Sequence, residues 1–135
     1  MRTAPGLAAY VLHAWDWRES SLILDVLTRE QGRIALVAKG AKRPTSALRA
    51  VLLPMQRLHL QLTRAKLTVE EGGPEVHTLR HAEWQAEHPL PRGGALLAGF
   101  YLNELLQRLM PRGEAHAALF DAYATSVHGL ALSPE

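Results

Sequence analysis

The chain has 135 residues, 47% of them hydrophobic, no cysteine, and a formal net charge of +2 at pH 7. These figures fit one domain, or a small domain with part of another, and they exclude disulfides and cysteine-ligated zinc. No apolar run approaches the roughly 18 residues of a membrane span, and Met1–Gly6 lacks the pattern of a signal peptide, so a cytoplasmic protein is expected.

The first half reads as short strands. Ala9–Trp15 is rich in β-formers and has no helical period. Leu22–Thr28 and Arg33–Lys39 are two β-rich runs joined by Arg29-Glu30-Gln31-Gly32, the pattern of a hairpin. Their nearly continuous apolar character predicts that both faces are partly covered, as in a small closed barrel. Within Gly40–Met55, Ser46–Leu52 predicts one or two helical turns capped by Ser46 and stopped by Pro54. Arg57, His59 and Gln61 then alternate with Leu58, Leu60 and Leu62, placing the leucines inside. A turn near Arg64-Ala65 leads to a fifth strand over Lys66–Glu70, with Leu67 and Val69 inward, ended by Glu71-Gly72-Gly73-Pro74. Five strands with a short helix between the third and fourth make an OB-fold; five short strands also suit an SH3-like barrel.

The second half is helical. Pro89–Gly94 reads as a connection. Ala95–Met110 is one helix, with Leu97, Tyr101, Leu105 and Leu109 at four-residue steps, Leu102 and Leu106 on an adjoining stripe, and Asn103, Glu104, Gln107 and Arg108 as its polar side. Glu104 and Arg108 are spaced for an ion pair. A second helix over Glu114–His128 carries Leu119, Phe120, Tyr123 and Val127 on one side, and Gly129 suits its end. Two helices bury only part of so wide an apolar surface, so the barrel or further chain must cover the rest. The expected protein is therefore α+β. A five-stranded OB-fold barrel spans residues 1–80, a linker 81–94, and the first helices of an all-α domain 95–135.

No motif of catalysis is present: no Gly-x-Ser-x-Gly, no Walker-type glycine loop, no His-Glu-x-x-His. His77 and His81 would share a helix face, with His88, Glu83 or Glu87 as a third ligand, but nothing fixes such a geometry and surface histidines are the better reading. Asp16, Glu19 and Asp25 resemble a magnesium set for a nuclease only superficially; interleaved with Arg18, they read as salt bridges. Neither an enzyme nor a cofactor nor a metal is expected.

The cations say more. Residues 1–66 hold 11 Lys/Arg against 4 Asp/Glu, residues 67–135 only 4 against 9. A basic half beside an acidic half points to a polyanionic ligand for the first. Lys39, Lys42 and Arg43 sit at a strand end and in the loop after it, Arg49 follows, and Arg57, Arg64 and Lys66 project from neighbouring strands. On an OB barrel such a set neutralises phosphates without reading sequence. Tyr10 reads as core; Trp15 and Trp17, on either side of Asp16, are the candidates for base stacking. The competing reading is a protein-interaction barrel for an acidic peptide, with little DNA binding of its own.

Several segments together resemble one family. Trp17-Arg18-Glu19-Ser20-Ser21, Leu24-Asp25-Val26-Leu27-Thr28-Arg29-Glu30-Gln31-Gly32 and Val37-Ala38-Lys39-Gly40-Ala41-Lys42-Arg43-Pro44 resemble the N-terminal barrel of RecO proteins. Leu97–Leu106 and Leu119–Tyr123 look like the opening of that family's helical domain. The resemblance implies a recombination mediator in DNA repair. Such a protein binds single- and double-stranded DNA, anneals complementary strands, works with RecR and the single-stranded DNA-binding protein SSB, and helps load the RecA recombinase. Arg18, Lys39, Lys42 and Arg43 fall on basic positions of the family's motifs. Against the family's usual length the chain is expected to be truncated after two helices, with the site for the SSB tail incomplete. The cysteine zinc site of some members is impossible here.

Overall fold

The computed structural model describes residues 6–85 and 89–132. Five strands, β1 (Leu7–Trp17), β2 (Ser21–Thr28), β3 (Gly32–Ala38), β4 (Leu58–Thr68) and β5 (Glu75–Trp84), close into a barrel of order β1-β2-β3-β5-β4. β3 runs parallel to β5, and the other neighbouring strands are antiparallel. A single helical turn, α1 (Leu48–Val51), separates β3 from β4; α2 (Gly93–Leu109) and α3 (Ala117–Ala131) follow the barrel. This is the OB arrangement.

Period-two alternation fills the barrel. Leu7, Ala9 and Val11 of β1, Leu24 and Val26 of β2, Ile34 and Leu36 of β3, and Leu58, Leu60 and Leu62 of β4 form one buried cluster. The outward residues of β2 and β3 are buried as well, which explains their unbroken apolar runs. Ile23, Ala35 and Val37 form a second cluster with Val76, covered by Trp17, Leu67 and Val69. Leu27 joins Tyr10 and Leu12 in a third, covered by α2 and α3 through Leu106, Phe120, Tyr123 and Val127. The β2–β3 turn uses Gly32 at φ +72°, and a Cβ there would lie 1.9 Å from the Glu114 carbonyl oxygen. Glycine thus serves both the turn and the close approach of the loop after α2.

Two strand expectations need correction. No turn occurs at Arg64-Ala65: β4 continues to Thr68. The apolar phase changes from Leu58, Leu60 and Leu62 to Leu67 because the register shifts between Leu62 and Lys66. The Thr63 hydroxyl stabilises this bulge, accepting from the Ala65 N–H at 3.1 Å and donating to the Ala65 carbonyl at 3.2 Å. A bulge and a turn leave the same phase slip in a sequence. Lys66–Thr68 is therefore the end of β4, Val69 and Glu70 lie in the bend after it, and the fifth strand is Glu75–Trp84. His77 and His81 lie on that strand, opposite Lys66 and Gln61, not on a helix. Among the described residues no three potential metal ligands converge; Glu87 and His88 lie outside those residues.

Near α1, the Ser46 hydroxyl accepts from the Leu48 N–H at 3.1 Å, although Ala47 is the capping position and has no side-chain cap.

The face of α2 also differs from expectation. Its buried residues are Ala95, Gly99, Asn103 and Leu106. Leu97, Tyr101 and Leu109 are 71%, 65% and 75% exposed. The helix packs by its small residues because they permit close approach: a Cβ on Gly99 would stand 2.4 Å from the Met55 sulfur. Asn103, expected on the polar side, is buried and accepts a hydrogen bond from the Tyr123 hydroxyl. The Glu104–Arg108 pair is formed, at 2.8 Å. On α3 the expected side is the buried one: Phe120, Tyr123 and Val127.

A polar joint fastens helices to barrel. Arg33 of β3 pairs with the buried Asp25 of β2 at 2.7 Å and donates from Nε to the Met110 carbonyl at 2.9 Å. Gln107 of α2 donates to the same Asp25 oxygen at 3.2 Å. At the rim, Arg29 makes a two-pronged contact with Asp121 of α3, at 3.0 and 3.2 Å.

Candidate nucleic-acid interface

One end of the barrel gathers cations. The β1–β2 turn at residues 18–20 and the segment after β3 are tied together: the Lys42 N–H donates to the Ser20 carbonyl at 2.9 Å, and the Gly40 N–H to the Ser21 hydroxyl at 3.3 Å. Gly40 sits at φ +72°, and the Arg43 N–H closes the turn on its carbonyl at 3.1 Å. These bonds place Arg18, Lys39, Lys42 and Arg43 on adjoining loops. Arg18 tips its turn in the left-handed region, φ 57°, and its guanidinium lies 4.2 Å from the Trp17 ring centre. Such a φ is uncommon for a residue with a Cβ. Lys42 meets Asp16 at 2.9 Å; Lys39 and Arg43 are exposed and make no ion pair among the described residues. Arg49 follows, exposed on α1.

The remaining candidates lie elsewhere. Arg64 is exposed in the β4 bulge, and Lys66 is exposed opposite His77. Arg57 stands at the far end of the barrel, half-buried, with its guanidinium 5.2 Å from the Phe120 ring centre. Burial pushes the Tyr10 hydroxyl up from its ordinary pKa, and the nearby Arg57 charge opposes the rise. Burial likewise raises Tyr123, with Tyr10 adding to the effect. Trp17 is half-buried against the cluster of Ile23, Ala35, Val37 and Val76, whereas Trp15 is 38% exposed and stacks loosely on His13, centroids 5.5 Å apart.

The supposed magnesium set does not assemble. Asp25 is buried against Arg33, and Asp16 faces Lys42. Sequence reading passed over Arg33 as a structural residue. The hairpin register carries a signal for it: Asp25 pairs with Ala35, which makes Arg33 its diagonal neighbour on the same face. Arg112, on the loop after α2 and bridged to Arg33, has no such local signal.

His77 titrates below the ordinary histidine value of 6.5, first because it is partly buried and then because Lys66 repels its charged form. The folded state therefore favours the neutral ring, and this contribution to stability is full above 6.5 and lost as pH falls through the lowered value. In an NMR titration, Lys66→Ala is expected to return the His77 midpoint part of the way upward; an unmoved midpoint would remove Lys66 as a cause.

Among the described residues no helix is long and apolar enough to cross a membrane. The molecule is a closed OB barrel with a cationic end and a helical pair docked on one side. Two family models match it: Recombination protein O N terminal over residues 5–83, and Recombination protein O C terminal over residues 91–135. Similar proteins include the DNA repair protein RecO of Paracidovorax citrulli, 58% identical over 132 residues, covering 93% of this chain and 49% of that protein. Its counterparts in Verminephrobacter eiseniae and Variovorax paradoxus are 55% and 58% identical, covering 93% and 91% of this chain and 50% and 45% of theirs. The chain belongs to the RecO family. It spans about half the length of these curated relatives.

Proposed function

We propose that this chain is a non-catalytic DNA-binding part of a recombination mediator in DNA repair. It captures the backbone of single- and double-stranded DNA on the cationic end of the barrel. The observation that carries this reading is the joining of the residue 40–42 loop to the β1–β2 turn, which concentrates Arg18, Lys39, Lys42 and Arg43. Arg49, Arg64 and Lys66 extend the field, and Arg57 acts at the helical junction. Neutralised phosphates release counterions, giving salt-dependent affinity without sequence preference. Two strands screened in this way approach each other, which favours annealing. The names of the relatives support a role in DNA repair. Family membership supports work in the cytoplasm beside RecR and SSB, ahead of RecA loading.

The test is anisotropy of a labelled single strand at several salt concentrations. Lys42→Glu with Arg43→Glu is expected to weaken binding more than about tenfold at low salt and to reduce the salt slope by about two. Unchanged affinity in the folded double variant would remove this end as the DNA site. The exposed Leu97, Tyr101 and Leu109 of α2 favour a second reading, in which the chain is chiefly a protein-interaction module with an acidic peptide partner. Failure to bind DNA at physiological salt would select it.

A further inference from the structure

We propose that Asp16 is an internal competitor for the DNA backbone: in the free protein its carboxylate occupies Lys42, and a phosphate must displace it to use that cation. This rests on the DNA-binding reading above. Four cations gather at the cationic end, and Lys42 alone among them is engaged by an acid among the described residues. Asp16 Oδ2 lies 2.9 Å from Lys42 Nζ. Arg18, Lys39 and Arg43 make no ion pair among those residues.

The backbone fixes both partners. Asp16 faces Leu22 in the β1–β2 ladder, and the Lys42 N–H donates to the Ser20 carbonyl at 2.9 Å. The carboxylate therefore stands where the loop brings the ammonium, and no main chain has to be ordered for them to meet. A carboxylate and a phosphate offer lysine the same thing, anionic oxygens for a charge-assisted hydrogen bond. Two anions crowded around one ammonium repel each other, so a phosphate that takes Lys42 drives Asp16 off.

Glu19 supplies the contrast. It is exposed in the neighbouring β1–β2 turn and makes no ion pair among the described residues. Glu19 therefore acts on DNA only through its general repulsion, whereas Asp16 also acts through Lys42. Exposure bounds the effect. Asp16 is exposed and Lys42 half-buried, and a pair of this kind shifts an equilibrium by no more than about fivefold. Displacement also changes the response to salt. An Asp16 driven from Lys42 takes up a cation from solution and cancels one of the counterions that the neutralised phosphate releases. Asp16 thus makes capture weaker and less salt-dependent, and it stands ready to retake Lys42 when a strand leaves.

The experiment is an anisotropy titration of the full chain with labelled oligothymidylate at several salt concentrations. Asp16→Asn is expected to tighten binding about two- to fivefold at low salt and to steepen the salt slope by about one. Glu19→Gln should tighten it less and leave the slope unchanged. In a Lys42→Gln background, Asp16→Asn should give no more gain than Glu19→Gln does, because the cation to be released is gone. Thermal melts check that each variant folds. Unaltered affinity in Asp16→Asn would overturn the competition. Weaker binding would overturn it in favour of Asp16 positioning Lys42 for the phosphate. An equal gain in Glu19→Gln, or a gain that survives the Lys42→Gln background, would overturn it in favour of general charge. Each of these results leaves the DNA reading intact; no binding by the unaltered chain at low salt would overturn that reading and the competition with it.

Discussion

Arg33→Met will cost the chain about 3–5 kcal/mol of stability, measured by urea unfolding. The substitution leaves the Asp25 carboxylate buried, with Gln107 as its remaining described donor and its second oxygen unpartnered among the described residues. It also removes the Nε bond to the Met110 carbonyl that fixes the end of α2. The cost is large because one buried charge is left without its partner, not because the pair itself is strongly stabilising. Asp25→Leu combined with Arg33→Met removes both charges and should recover most of the loss. A remainder of about 1 kcal/mol is expected for the carbonyl bond. A single variant that costs less than about 1 kcal/mol would show that water reaches Asp25 and that the joint is not dry.

Phe120→Ala has a comparable expected effect, about 3–5 kcal/mol. Phe120 is fully buried where three parts of the fold meet: its ring centre is 5.4 Å from that of Tyr10 on β1, and Arg57 at the start of β4 lies over it. Truncation opens a cavity lined by groups from the barrel and α3, so neither side can collapse into it alone. Phe120→Leu should cost less, because it keeps most of the volume. Denaturation followed by near-ultraviolet circular dichroism reports the tyrosines directly. A Phe120→Ala effect within about 0.5 kcal/mol, the range of surface changes, would mean that α3 is not docked as described.

The three leading strands were legible because each is an apolar run bounded by polar turns and pairs with its neighbour in sequence. The fourth was legible over Leu58–Leu62, whose leucines are in the core, but not to its end, and the fifth was misplaced. The phase slip between Leu62 and Leu67 marks a bulge as well as a turn, and only pairing across the barrel decides between them. Val76 and Thr78 are good strand formers, but the four-residue spacing of His77 and His81 suggested a helix face. On α2 the leucine stripe suggested the packed face, whereas Gly99 and Ala95 take it, because closeness to Met55 outweighs hydrophobicity at each position. In the candidate site, Lys39, Lys42 and Arg43 could be grouped by their place after a strand. Arg57 looks equivalent to Arg64 and Lys66 as a cation of the same strand pair, yet it lies against Phe120 of α3, a fact of tertiary packing. Arg112 could not be placed at all without the course of the loop after α2.

The way the barrel closes has a consequence for the order in which it is built. β4 meets β1 through Leu7–Leu60, Ala8–His59 and Ala9–Leu58, and β5 meets β3 through Leu36–His77 and Val37–Thr78. Both seams join residues about forty or more positions apart. The cationic end is different: its β1–β2 and β2–β3 ladders, and the bonds from Gly40 and Lys42 back to Ser21 and Ser20, all fall within residues 7–43. Short loops close at less entropic cost than long ones, and synthesis delivers the N-terminal part first. A nascent chain therefore has the described hydrogen-bonding partners of its cationic loops available while the strands that seal the barrel are still inside the ribosome.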